Sequence, residues 1–181
     1  FEMAKKMLKQ GDEITSLLLL DSLCPTLQTE DEVEQMVDLY KNLAKAMGIV
    51  VADLDTEKLR QITDIERVDY LYDYSKNYGL DMTREQFALM YAMSMSNARA
   101  CRTYKPAKLS SEIDVFLFRA QDSYRDKPKD YGWNKWLQKP LKGYDIKANH
   151  FSIIDIEPIQ EVANKILEYH ESDRSNRIRT T

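Results

Sequence analysis

The sequence predicts an α/β fold, a mostly parallel sheet flanked by helices, carrying a long helical insertion. Three observations lead to it. The chain opens on an amphipathic helix, a glycine turn and a short buried strand. From Cys24 to about Tyr104 no strand signal occurs. Strand signals then return between Ile113 and Ala148, and a last helix follows.

The elements follow in order. Phe1, Met3, Ala4, Met7 and Leu8 fall at helical spacing, and Gly11 stands where a C′ glycine stops a helix. Leu17–Leu20 is a continuous apolar run before Asp21, the pattern of a strand buried on both faces. Thr29 with Glu32 reads as a capping box for a helix that buries Val33, Met36, Val37, Tyr40, Leu43, Ala44 and Met47 and stops at Gly48. A second helical stretch covers about 55–78, broken near Thr63-Asp64 and ended by Gly79. Thr83 with Gln86 caps a third, with Phe87, Leu89, Met90, Tyr91, Met93 and Met95 on more than one face. Ile113–Phe118 and Tyr144–Ala148 read as strands, separated by a polar stretch that leads to Gly132-Trp133. The last helix starts near Pro158, buries Ile159, Val162, Ala163, Ile166 and Leu167, and ends by His170, where a cation suits the helix dipole. Residues 172–181 read as a flexible tail.

Composition narrows the function. The 181 residues suffice for one large domain or two small ones. The 43% apolar and 31% charged shares are those of a soluble globular chain. No apolar run approaches the ~18 residues that span a bilayer, so no membrane role is expected. The net charge of −4, without a dominant basic cluster, argues against nucleic acid. Two cysteines, Cys24 and Cys101, make no disulfide framework and point to the cytoplasm. With only two histidines, no metal site is expected. The five glycines are under half the usual share of about 7%, and none forms a phosphate-cradling loop or a nucleophile elbow.

Two polar residues stand after buried strands: Asp21 after Leu17–Leu20, and His150 after Tyr144–Ala148. Open parallel sheets bind ligands at the carboxyl ends of their strands. An Asp and a His there, in that order, suit the last two members of a Ser…Asp…His triad. The carboxylate would hold the imidazole in one tautomer, and the imidazole would move the nucleophile's proton. Spacing alone favours a turn-capping Asp21 and a structural His150.

Longer stretches bear on the choice. They are Phe1-Glu2-Met3-Ala4-Lys5-Lys6-Met7-Leu8, then Gly11 with Leu17–Ser22, then Tyr104-Lys105-Pro106 with Val115–Ala120. Gly132-Trp133, Asn149-His150-Phe151-Ser152-Ile153-Ile154 and Glu157-Pro158 follow. In this order they resemble the thioesterase domains that end nonribosomal peptide synthetases and polyketide synthases, which are α/β-hydrolases. The first stretch is similar to the helix after the nucleophile elbow, and the second to the strand that delivers the catalytic Asp. The Asn149–Ile154 stretch is similar to the motif that contains the catalytic His, with Ala148-Asn149 in place of the usual Gly-Asp.

The resemblance implies a catalytic Asp21 and His150, with the first strands, the elbow and the Ser nucleophile on an upstream segment of the same domain. Ser16, Ser22, Ser110, Ser111 and Ser152 lack an elbow context. It implies a core of 1–24 and 106–171 and a helical lid over 25–105, whose Phe87, Met90 and Met93 would face an acyl chain. Each of these three also reads as ordinary helix core. The implied substrate is an acyl or peptidyl chain on the phosphopantetheine of a carrier protein, released by hydrolysis or macrocyclisation, with no cofactor bound directly. A stand-alone editing thioesterase, another α/β-hydrolase esterase and a non-catalytic helical interaction module are the alternatives.

Overall fold

The computed structural model describes residues 1–27, 31–46, 51 and 54–179. The chain forms two compact units: Phe1–Cys24 with Pro106–Thr181, and Pro25–Lys105.

The first unit holds α1 (Glu2–Gln10), β1 (Ser16–Leu20), β2 (Asp114–Ala120), β3 (Lys142–Ile146) and α6 (Ile156–Arg179). Gly11 ends α1 at φ 90°, a left-handed conformation that glycine adopts without strain. Its N–H bonds to Leu8 O, and that of Asp12 to Met7 O, the pair of bonds that defines a Schellman cap. The strands pair in parallel in the order β1-β2-β3, with Leu20 opposite Phe118 and Phe118 opposite Tyr144.

The central strand β2 shows why its sequence is apolar throughout. Successive strand side chains point to opposite faces. Val115 and Leu117 enter one core with Leu19, Cys24, Leu109, Trp133 and Leu137, while Phe116, Phe118 and Ala120 enter a second with Ile146, Ile153 and Val162. Each fully buried phenylalanine contributes about 1.5–3 kcal/mol of burial.

Several expectations shift here. β2 begins and ends later than Ile113–Phe118, and β3 is Lys142–Ile146 rather than Tyr144–Ala148. The carbonyl of Ile146 accepts from both Gln121 N and Ala148 N, so the chain turns out of the sheet there. The last helix begins at Ile156, with Pro158 inside its first turn, and runs to Arg179. His170 therefore lies within the helix and not at its end, and 172–179 are helical instead of continuing as a tail. No glycine or proline follows Pro158 to stop it.

The second unit holds α2 (Glu32–Ala46), α3 (Thr56–Gln61), α4 (Asp64–Lys76) and α5 (Arg84–Thr103). Thr63 with Glu66 and Thr83 with Gln86 form reciprocal capping boxes for α4 and α5. The break expected near Thr63-Asp64 is thus a cap. Thr29 and Gly48 lie outside the described residues; among those described, Asp31 Oδ1 caps α2 by accepting from Val33 N and Glu34 N. The core of this unit joins Val33, Met36, Val37, Tyr40, Leu59, Leu71, Phe87 and Met95, with Tyr40 Oη 2.6 Å from Ser75 Oγ. Among the described residues no helix is long and apolar enough to cross a membrane.

Candidate functional site

Asp21 is placed by the end of β1. Its N–H still bonds to Phe118 O at 2.7 Å, but its backbone turns to φ 42°, which Asp tolerates better than most residues. This turns the side chain into the first unit, where it is 1% exposed. Oδ1 accepts from Ala120 N at 2.9 Å and from Tyr131 Oη at 3.2 Å. Oδ2 lies 2.9 Å from His150 Nδ1. The Ser123 side chain is a further hydrogen-bond partner of the carboxylate.

His150 comes from the turn after β3. Asn149 Oδ1 accepts from Phe151 N and Ser152 N, and Ser152 Oγ accepts from Asn149 N. This reciprocal pair fixes the loop just as a helix cap would. The His150 side chain is 49% exposed. Its ring meets Phe151 and Tyr124 edge-on, at centroid distances of 5.3 and 6.1 Å.

Charge follows from these contacts. Burial pushes the Asp21 carboxyl up, but the bonds from His150, Ala120 N–H and Ser123 outweigh it and hold the group below its ordinary range. The bond to Asp21 raises the His150 imidazole above 6.5, against the opposing effect of burial. Burial, then the Asp21 charge, pushes the Tyr131 hydroxyl far above its usual value, so it remains a donor. With Asp21 ionised, Nδ1 carries the proton that faces it, and Nε2 is left as the basic nitrogen.

The structure thus brings Asp21 and His150 together across 129 positions of sequence. It places the three apolar residues of the helical unit differently. Phe87 is 2% exposed in that unit's core, and with Met90 it lines a cavity of ≈ 30 Å³, room for about two waters. Met93 is 59% exposed on another face of α5. Cys24 is wholly buried in the core of the first unit.

Sequence reasoning missed Tyr131, Tyr124, Ser123 and the Ala120 amide. The available signal was a tyrosine directly before Gly132-Trp133 in an otherwise polar stretch. The segment around it is tied to the loop after Asp21: Cys24 N bonds to Tyr131 O, and Trp133 Nε1 to Ser22 O at 2.7 Å. A pocket of ≈ 250 Å³ borders Ser123, Tyr124 and Tyr131. Of its four cations, Arg119, Arg125 and Lys127 are paired, with Asp145, Asp122 and Asp126. Among the described residues no cluster of three or more His, Cys, Asp or Glu is arranged to hold a metal ion.

No protein-family model matches the chain, and no curated protein matches it. Solved structures do. It resembles part of holo-AB3403, a four-domain nonribosomal peptide synthetase bound to AMP and glycine, with a TM-score of 0.69 at 21% identity, over 93% of this chain and 13% of that one. It resembles the NocB thioesterase domain in covalent complex with a fluorophosphonate nocardicin G analogue, with a TM-score of 0.54 at 19% identity, over 92% of this chain and 59% of the other. Human thioesterase 2 gives a TM-score of 0.54 at 13% identity, over 92% and 65%. At these identities the likeness is one of fold. The chain has a parallel three-stranded sheet flanked by helices that matches part of the α/β-hydrolase fold of thioesterase domains, and it spans less than two thirds of the length of these structures.

Proposed function

We propose that this chain contributes the Asp and His of a Ser-His-Asp triad to a thioesterase that releases acyl or peptidyl chains from a carrier protein. The observation that supports it most is the 2.9 Å contact between a buried Asp21 and a half-exposed His150, on the fold of thioesterase domains. A carboxylate held this way fixes the tautomer and stabilises the imidazolium, while the other face of the ring stays open to reactants. The chain has no Gly-x-Ser-x-Gly sequence, so the reading assigns the nucleophile to a residue outside these 181.

The chemistry would run in two steps. His150 Nε2 takes the proton of the nucleophile's hydroxyl as its oxygen attacks the thioester carbonyl. The C–S bond breaks, and the pantetheine sulfur leaves with the proton from His150. His150 then takes a proton from water, or from a hydroxyl or amine of the acyl chain, as that group attacks the acyl ester. The nucleophile regains its proton from His150, and a free acid or a macrocycle leaves. No cofactor enters either step. The helical unit would act as the lid, and Phe87, Met90 and Met93 as candidate contacts to the acyl chain.

The test is acyl release from a phosphopantetheine-loaded carrier by the complete domain. His150→Ala is expected to lower the rate by about 10⁴-fold or more. Release within tenfold of the parent would remove His150 from the mechanism. Comparison with a simple ester separates a carrier-directed enzyme from a general esterase.

A further inference from the structure

The segment 119–133 holds a group that the triad reading leaves unused. The Tyr131 hydroxyl shares Asp21 Oδ1 with the Ala120 amide. Several contacts fix where that hydroxyl stands. Tyr131 itself has φ 48°, uncommon for a bulky residue, and Gly132 follows at φ 79°. Its N–H bonds to Pro128 O at 2.8 Å and its carbonyl accepts from Cys24 N at 2.9 Å. Two residues earlier, Arg119 Nη1 donates to Lys129 O, while Arg119 Nε donates to Asp145 Oδ1 at 2.6 Å. That guanidinium lies over Gly143: a Cβ there would stand 3.2 Å from Arg119 Cζ and overlap Nη1. Glycine on β3 thus makes the seat for the arginine that pins the tyrosine's loop. Strained backbone held by this many contacts is found where a structure must position a group.

We infer that Tyr131 is a positioning residue: its hydroxyl, pinned through Arg119 and the left-handed turn, is a third support of Asp21 and controls how much of that carboxylate's charge reaches His150. A donor on Oδ1 stabilises the carboxylate and draws negative charge from it. With the donor removed, the same charge would be concentrated on the bond to Nδ1, and the imidazolium would be stabilised further. The other groups facing the pair are few. Ala120 N–H and Ser123 bond the carboxylate, Tyr124 meets the His150 ring edge-on, and the Arg119 charge acts on Tyr131. Arg119 is itself balanced by Asp145. Burial and the Asp21 charge together keep the Tyr131 hydroxyl protonated across the pH range of the test.

The inference takes the roles of Asp21 and His150 from the proposed function, but its test needs no turnover. In the protein labelled at histidine Cε1, the His150 signal is identified by its loss in His150→Gln, and its titration is followed by NMR. Tyr131→Phe keeps the ring, and is expected to move the midpoint up by roughly 0.5 pH. An unmoved or lower midpoint overturns the inference. The same substitution in an Asp21→Asn background is expected to have no effect on the midpoint, since the route runs through Asp21. An equal shift there would also overturn it, because Tyr131 would then act on His150 directly. Gly143→Ala, which displaces Arg119 without removing any group bonded to Asp21, is expected to loosen the Tyr131 hydroxyl and give a smaller upward shift. No change at Gly143→Ala would remove Arg119 from the chain of support. Absence of acyl release by the unsubstituted complete domain, with a midpoint that obeys these expectations, would count against the thioesterase reading alone.

Discussion

Asp21→Asn isolates the one bond on which the site depends. The side chain keeps its shape but exchanges one carboxylate oxygen for an NH₂ group. Ala120 N–H and Tyr131 O–H both point at Oδ1 and require an acceptor there. The amide oxygen must therefore stay in that position, which turns the amide nitrogen toward His150 Nδ1. Two donors would then meet at a separation of 2.9 Å. The imidazole resolves this by moving its proton to Nε2, so the nitrogen that should accept a proton already carries one. A charge-assisted bond of about 1.5–3 kcal/mol to the imidazolium is lost as well. Bond loss and inverted tautomer together are expected to lower the acylation rate by about 10⁴-fold, as such a substitution does in Ser-His-Asp hydrolases generally, with little change in KM. The fold is expected to survive, because the two buried donors keep their acceptor. Single-turnover release from a loaded carrier measures the rate, and nitrogen NMR of the imidazole reads the tautomer. A rate within tenfold of the parent, in a protein whose Nε2 carries the proton, would refute the reasoning.

Further outcomes concern pH, the His150 turn and the sheet's far end. Activity is expected to rise with pH through a midpoint above the ordinary histidine value of 6.5, since the base form is needed and Asp21 raises it; a midpoint below 6.5 in the pH profile of kcat/KM would contradict this. For stability the signs are opposite for the two partners. The contribution of His150 is complete below about 6.5 and is lost as pH rises through its higher folded value, while that of Asp21 is present above about 3.8 and is lost as pH falls through its lower folded value. Urea midpoints across pH should therefore be highest between these limits, and a uniform profile would show that the pair does not couple to folding. Asn149→Ala removes the acceptor of two turn amides and is expected to lower kcat more than it raises KM, while Asn149→Asp retains both bonds and the rate; equal loss in both variants would show that these two bonds do not account for the role of Asn149. Asp114 accepts from Lys139, Lys142 and Tyr169, which ties α6 to the sheet. Asp114→Ala is expected to cost about 1–3 kcal/mol in urea unfolding, and an unchanged midpoint would show that these bonds only replace hydration.

The parts of the fold that were legible in the sequence are those with a local physical cause. Val115–Phe118 is apolar throughout because both faces of β2 are buried, whereas of Leu17–Leu20, expected to be buried on both faces, only Leu19 is buried and Leu18 is 40% exposed. Thr83 announces its helix because a cap bonds three residues ahead, while Thr63, legible only as a break, caps its helix in the same way. Asp21 and His150 were legible as residues that follow strands, and the family resemblance told the two readings apart. Tyr131 was not, since its bond to Asp21 spans 110 positions and leaves no periodic trace. The end of β3 was misplaced because Ala148 is apolar and buried while its N–H bonds back to Ile146 O. α6 extends beyond the expected tail boundary because its polar residues carry no glycine or proline that would break a helix already formed.

One bond has a practical consequence. In the β1–β2 ladder the last paired residues are Leu20 and Phe118, yet Ala120 N–H, two positions further on, donates to the Asp21 side chain. The carboxylate therefore completes the ladder in place of a backbone carbonyl. The Ala120 amide should exchange with solvent deuterium as slowly as its neighbours in β2 while Asp21 is ionised, and faster once acid protonates it. A single backbone amide thus reports the charge of a buried carboxylate in the resting protein, with no substrate, no label on the site and no substitution in it.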